Sequence, residues 1–353
     1  MQIHPEEMAC ARAYEQQLVF EGLTADQMHR IMERGRALFS WTKSHPFLHN
    51  LLSLSVLLFI FTADWLILMR LPDLMLPPGQ SSSWMRTIVA SVVTGALHSY
   101  LLYTMIVLTM HEGSAHKLLF LGEGRLVRAA NFIGSNLCRL AGGEPIHYAA
   151  AHMAHHAKFG AEGDAEFLNF IMPKRYWLTF LPFATFLNYS DFVIHRPLRY
   201  TKSRVLSAIL GLSYQAPYIW LSYEKYGLAF TLITFLAVTP HFGFYLDRLR
   251  QFTEHNLLPL DNKNGSRNFG VGFWGLLIGG GPWGSPCHWS HHLVASLPWY
   301  QQIVLHRYIV TLLTPAQKSQ FLIEPVVGFP KLWLRLVREP SQFARAHAGV
   351  SGK

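Results

Sequence analysis

The stretch His152-Met153-Ala154-His155-His156, "HMAHH", decides how this chain is read. Its three imidazoles fall at i, i+3 and i+4, which is one face of a helix. The pattern returns as "HWSHH" from His288 to His292, and "HEGSAH" from His111 to His116 adds two more. Stacked on one face without a metal, such imidazoles repel one another whenever two are protonated. Neutral imidazole suits iron, zinc and copper. The i, i+5 spacing of His111 and His116 places them about 140° apart on a regular α-helix. They converge only if the helix distorts or ends there, which Gly113 permits.

The surroundings of these clusters are apolar. Half of the 353 residues are hydrophobic, mean hydropathy is positive, and only 14% are charged, against roughly 25% in an average soluble domain. Tryptophan, phenylalanine and tyrosine are abundant, so the composition is that of a membrane protein. Cys10, Cys138 and Cys287 lie far apart, with no CxxC and no iron–sulfur spacing, and an odd count argues against a disulfide framework. The first residues, "MQIHPEEMACARAYEQQ", are polar and partly acidic, unlike a signal peptide. No internal repeat or low-complexity linker stands out. The expectation is an all-α integral membrane protein: a cytoplasmic N-terminal segment at 1–46, a membrane domain at 47–307 and a cytoplasmic tail at 308–353.

A bilayer core about 30 Å thick needs about 20 apolar residues in a helix. Phe47–Met69 and Thr87–Met110 qualify, separated by the Pro/Gly/Ser turn "LPDLMLPPGQSSS". Tyr176–Phe192, Val205–Tyr223 and Leu228–Leu246 are further candidates. If the three His clusters form one site, they share one side of the membrane, and only two crossings fit between His156 and His288. Basic residues choose between the three candidates. With Val205–Tyr223 and Leu228–Leu246 as crossings, the far-side loops hold only Arg70, Arg86 and Lys225, and the other 27 of 30 basic residues lie on the His side. Crossing at Tyr176–Phe192 instead would move Arg196, Arg199, Lys202 and Arg204 across. The positive-inside rule prefers the first arrangement. Pro182, Asn188 and Asp191 also weaken Tyr176–Phe192, which reads as an interfacial segment. Four transmembrane helices follow, with both termini and all three clusters cytoplasmic, and the first cluster begins where the second span leaves the bilayer.

Eight clustered histidines exceed the four to six ligands of one first-row ion, so two metals are implied. Iron fits best if the chemistry uses oxygen. For the remaining histidines an ordinary polar role is the expectation. His98 lies mid-membrane and should hydrogen-bond a neighbour, while His147, His195, His241 and His306 each stand alone.

The order HxxxxH, HxxHH, HxxHH on a four-span chain resembles the membrane fatty acid desaturase superfamily, over about Phe47 to Arg307. The tail "PWYQQIVLHR" after the third cluster also looks like that family's. The resemblance implies a non-haem di-iron centre whose ligands are His111, His116, His152, His155, His156, His288, His291 and His292. It also implies a ninth histidine between the last span and the third box, a place filled here by His255 in "RLRQFTEHN". Gln251, one turn earlier, is a weaker candidate acting through water. The implied activity is oxygen-dependent removal of hydrogen from an unactivated C–H bond of a fatty acid or acyl lipid. The "HE" start of the first box, where acyl-CoA desaturases typically have "HR", looks more like the branch acting on other lipids or free acids. Desaturation, oxidative decarboxylation to terminal 1-alkenes and hydroxylation all stay open. No fused cytochrome b5 "HPGG" motif is present, so electrons are expected from a ferredoxin- or cytochrome-type donor drawn to a basic cytoplasmic face. Arg248, Arg250 or Arg267 could meet the polar head of a substrate. Phe39, Trp41, Trp274 and Trp283 could line its tunnel, although core or interface anchoring suits them better. A histidine-rich metal transporter is the competing class, but it needs ionisable residues along the spans, which hold little beyond Asp64 and His98. A structural or receptor protein gives the ordered boxes no reason.

Overall fold

The computed structural model describes residues 20–77, 83–161, 164 and 201–338. The expected interfacial segment Tyr176–Phe192 and His195 lie outside them. Among the described residues every regular element is helical, apart from one isolated bridge between Asn268 and Leu322. The chain divides into two compact units that alternate along the sequence. One comprises Met1–His45, Tyr148–Leu181 and Arg248–Lys353, the other Pro46–His147 and Pro182–Asp247.

The first unit holds α1 (Ala25–Ser44), which opens with a capping box: Thr24 accepts from the Gln27 amide, and the Gln27 side chain accepts from the Thr24 amide. Its inner face brings Ile31 and Leu38 to a core with Trp289, Leu293, Leu297, Leu305, Ile309 and Phe321. Gln27 also bonds the buried Gln317 side chain and the Leu312 carbonyl, which ties the two ends of the unit together.

The second unit carries the apolar helices. Three stretches among the described residues are long and apolar enough to cross a bilayer: Pro46–Met75, Trp84–Ala115 and Lys202–His255. In α2 (Pro46–Met69) the buried face is His49, Ser53, Val56, Leu57, Ile60, Asp64 and Leu68, at helical spacing. The opposite side exposes Leu51, Leu54, Leu58, Phe59 and Leu66. Polar groups inside and leucines outside is the arrangement hydrocarbon solvent selects. The next helix, α3 (Trp84–Ile106), is N-capped by Ser83.

The third stretch spans 54 residues, about 80 Å of helix and far more than a bilayer is thick. It is broken at Gly227, where φ is 82° and ψ 178°, a conformation open only to glycine. Hydrogen bonds show the chain reversing there. At one end of the unit Arg139 donates to the Ser203 carbonyl and the Ser207 hydroxyl. Farther along, the Tyr214 hydroxyl donates to Asp64, and Lys225 and Tyr226 reach Asp73 beyond the end of α2. After Gly227, Phe230 packs on Ala90 near the start of α3. Then Thr234 bonds Ser91, and Ser99 bonds both Thr239 and the Gly243 amide. The sequence expectation of two helices at Val205–Tyr223 and Leu228–Leu246 therefore appears as one long run folded at a single glycine.

Within the unit, His98 is fully buried and behaves as its sequence context suggests. Its Nδ1 is 2.6 Å from Asp64 and its Nε2 2.9 Å from Gln215, which binds α2, α3 and the third stretch together.

Candidate metal centre

The first His pair resolves the spacing problem by changing helix type. Residues Val107–Ala115 form a π-helix, and the His116 amide donates to the His111 carbonyl at 3.1 Å. That is an i→i+5 bond, so five residues make little more than one turn. The two rings stand 4.9 Å apart. The anticipated distortion is present, and Gly113 serves it by close packing: a Cβ there would meet Ser135 at 3.0 Å. Ser114 bonds both the Thr109 and Ser135 carbonyls, and His111 Nδ1 lies 3.1 Å from Glu112. Both histidines belong to the second unit.

The other seven belong to the first unit. His152, His155 and His156 sit on α4 (Pro145–Lys158), His255 ends α5 (Thr239–His255), and His288, His291 and His292 lie on α6 (His288–Leu293). His155, His255, His288 and His292 each offer one ring nitrogen, and the four nitrogens lie within 4.8 Å of one another. His288 Nε2 is 3.0 Å from both His255 Nε2 and His292 Nε2. Beside this tetrad, His156 Nε2 is 3.1 Å from His152 Nε2 and 2.8 Å from His291 Nε2.

In the tetrad each Nδ1 is occupied by an outer partner. For His155 it is Asp164 at 2.9 Å, and for His292 it is Asn262 at 2.9 Å. For His288 it is Ser285 at 3.0 Å, and for His255 the Gly265 carbonyl at 3.0 Å with Ser266 at 3.1 Å. Partners of this kind set tautomer and ring angle, leaving Nε2 as the ligand atom. Burial first, and then the imidazoles of His288, His156, His155 and His255, hold His292 well below its usual pKa, in the neutral form a metal requires.

The donor set fits a metal. Bonds of about 2.1 Å place ligand atoms in right-angled neighbouring positions about 3.0 Å apart, which is the spacing of the paired Nε2 atoms here. Sulfur adds nothing: Cys138 and Cys287 are free and buried, and burial pushes both thiols up to about 12.

The fold holds α6 from behind. Trp289, fully buried, stacks on Phe321 at 3.9 Å and donates to the Lys263 carbonyl. Asn268 accepts from the Ser290 amide and reaches His306 Nδ1 at 2.9 Å, so His306 supports the third box from outside. Arg267 fills another structural post. Its guanidinium donates to the Thr253, Asn256 and Leu257 carbonyls at the end of α5, the groups a helix terminus leaves without partners. This corrects its candidacy as a substrate contact. Arg248 bonds Gln251 at 2.8 Å and Arg250 pairs with Glu254 at 3.2 Å. The outer partners Asp164, Asn262, Ser285 and Ser266, and the acid Glu254, carry no spacing signal in the sequence. Asp164, Asn262, Ser285 and Ser266 are single residues brought in by loops and turns, whereas Glu254 lies within α5.

The family model described as fatty acid desaturase matches residues 82–321, well over half of the chain. The chain belongs to the fatty acid desaturase family. Neither the curated proteins nor the solved structures include a match.

Proposed function

We propose that this protein is a membrane di-iron oxidase acting on a fatty acyl chain. The observation that carries the reading is the buried tetrad of His155, His255, His288 and His292, whose nitrogens converge within 4.8 Å, in a chain of the desaturase family. In this reading the tetrad holds one iron, and His152, His156 and His291 hold the other together with His111 and His116. When bound, the irons would supply oxygen-dependent removal of hydrogen from an unactivated C–H bond. The protein's own part is to bury the tetrad, with His292 held in its neutral form chiefly by that burial, and to fix the four rings through outer hydrogen bonds on Nδ1.

The proposed topology has four crossings, with the third stretch passing out and back around Gly227. Both termini and the His boxes face the cytoplasm, at the exit of the second span. A fatty acyl substrate would then arrive from the bilayer itself. Electrons would come from an acidic ferredoxin- or cytochrome-type protein docking on basic cytoplasmic residues, since the chain carries a formal charge of +9. Turnover should fall as salt rises.

The test is metal analysis of the purified protein together with product analysis of cells expressing it. About two irons per chain are expected. An oxygen-dependent lipid product should appear by mass spectrometry, or a volatile 1-alkene in the headspace. Its identity separates desaturation, hydroxylation and decarboxylation. No altered lipid in any fraction, with iron bound and a competent donor present, would refute the acyl-chain assignment.

A further inference from the structure

We propose that the helix Arg125–Asn136 rests its outer face in the surface of the bilayer and thereby braces the first His box. The inference rests on the reading that the second span leaves the bilayer at that box.

This helix inverts the usual surface pattern, in which apolar residues turn inward. At about 100° per residue, Leu126, Ala129, Phe132 and Ile133 fall within an arc of about 120°. That arc points outward: Leu126 is 87% exposed, Phe132 73% and Ile133 61%. The polar Asn131 and Ser135 lie on the inner side, around the buried Gly134. A contiguous apolar stripe on a surface marks an interaction site, and the boundary between headgroups and acyl chains takes such a helix face. Arg125 and Arg128, both exposed in its first turn, suit the lipid phosphates at that boundary.

The spans of the same unit set the depth of the stripe. Asn131 accepts from the Phe120 amide at 3.0 Å and donates to the Phe120 carbonyl at 2.7 Å. The next residue, Leu121, is held in the same way by Asn50, at 2.7 and 2.8 Å. Asn50 lies near the start of α2, and from Leu51 onward that helix exposes leucines. The stripe therefore stands level with the end of a membrane span. That placement favours lipid, rather than a second copy of the chain, as its occupant.

The inner side of the helix holds the box. The Ser135 carbonyl accepts from Ser114 at 3.4 Å, its hydroxyl fills the space beside Gly113, and Gly134 packs against Leu119. Gly113 and Ser114 lie between His111 and His116 in the π-helix. A π-helix is a rare conformation, and this one is packed against Arg125–Asn136. Burial of the outer stripe in lipid keeps that helix in place, and with it the spacing of His111 and His116.

The experiment uses the full chain, in a background lacking Cys10, in vesicles of phosphatidylcholine and phosphatidylglycerol. Single cysteines at Leu126, at Ile133 and at Leu97 in the middle of α3 carry a bimane fluorophore. Nitroxide-bearing lipids should quench all three, and aqueous iodide should reach them far less than it reaches a label at Glu123. Hydrogen exchange then reads the brace. Phe132→Gln combined with Ile133→Gln should speed amide exchange over residues 113–121 on the order of tenfold, about 1.4 kcal/mol. Leu126→Gln should speed it as well, whereas Phe59→Gln on the outer side of α2 should leave it unchanged. Iodide quenching at Leu126 and Ile133 as strong as at Glu123 would overturn the bilayer contact. So would labels quenched by one another but not by lipid, the result a second copy gives. Unchanged exchange in both Gln variants would overturn the brace, and so would an equal change in Phe59→Gln. A Leu97 label that lipid nitroxides do not quench defeats the parent reading instead, because it reports on the span alone.

Discussion

Asp164→Asn isolates what an outer partner contributes to the centre. Asp164 Oδ1 accepts from His155 Nδ1 at 2.9 Å, Oδ2 accepts from the Gly160 amide at 2.9 Å, and both side chains are buried. An ionised carboxylate serves both donors at once. Asparagine cannot, because one of its two terminal atoms is itself a donor. If the amide oxygen stays on His155, its NH2 faces the Gly160 N–H. If it flips, its NH2 faces Nδ1, and the ring must shift its proton to Nε2, which removes the lone pair the metal needs. Removing such a partner typically weakens metal affinity by about 10–100-fold, or about 1.4–2.7 kcal/mol. The assay is anaerobic titration of metal-free protein with ferrous iron against a competing chelator. One site should weaken by that factor and the other should keep its affinity. Wild-type affinity at both sites in a folded Asp164→Asn protein would refute the argument that Asp164 sets the His155 tautomer.

Substituting alanine at any of the nine box histidines should lower iron content or abolish turnover, and normal activity of His292→Ala would contradict the ligand assignment. His98→Ala should keep its iron yet unfold more easily, by about 1–3 kcal/mol, because Asp64 and Gln215 each lose a buried hydrogen-bond partner while Tyr214 stays on Asp64; detergent melting curves beside metal analysis check both halves. Burial first, and Arg307 second, lower the pKa of His306 to about 4, against about 6.5 unfolded. The folded state therefore refuses a proton that the unfolded chain accepts. Stability from this group is complete above pH 6.5 and is lost as pH falls toward 4, on the order of 3 kcal/mol in all. His306→Gln should flatten that part of the melting-temperature profile, and an unchanged slope would count against it. For topology, single cysteines at Leu74 and Glu123, in a background lacking Cys10, should label from opposite sides of the membrane. Labelling from one side would undo the four-span scheme.

Much of this was legible in the chain itself. An all-helical membrane protein follows from apolar stretches of about 20 residues that hold little charge beyond Asp64, since a helix is the one open segment that satisfies its backbone in hydrocarbon. The His boxes were legible because i, i+3, i+4 is a covalent fact about which side chains share a helix face. The protonation logic of closely set imidazoles then points to metal, and the family match over 82–321 agrees. The role of His98 could be anticipated as well, because a lone polar group in a span has to find a partner.

Tertiary structure decided the rest, for reasons of distance along the chain. That "HEGSAH" closes through a π-helix depends on Ser135 packing against Gly113, some twenty residues away. Arg267 read as a contact for a substrate's polar head but caps carbonyls of residues 253, 256 and 257, which only the fold brings beneath it. Asp164, Asn262 and Ser285 are one-residue contacts from turns, and a turn's endpoint is set by packing rather than by periodicity. Periodic patterns report what a helix does to its own neighbours. The outer partners that tune the imidazoles come from elsewhere in the chain, so only the assembled fold reveals them.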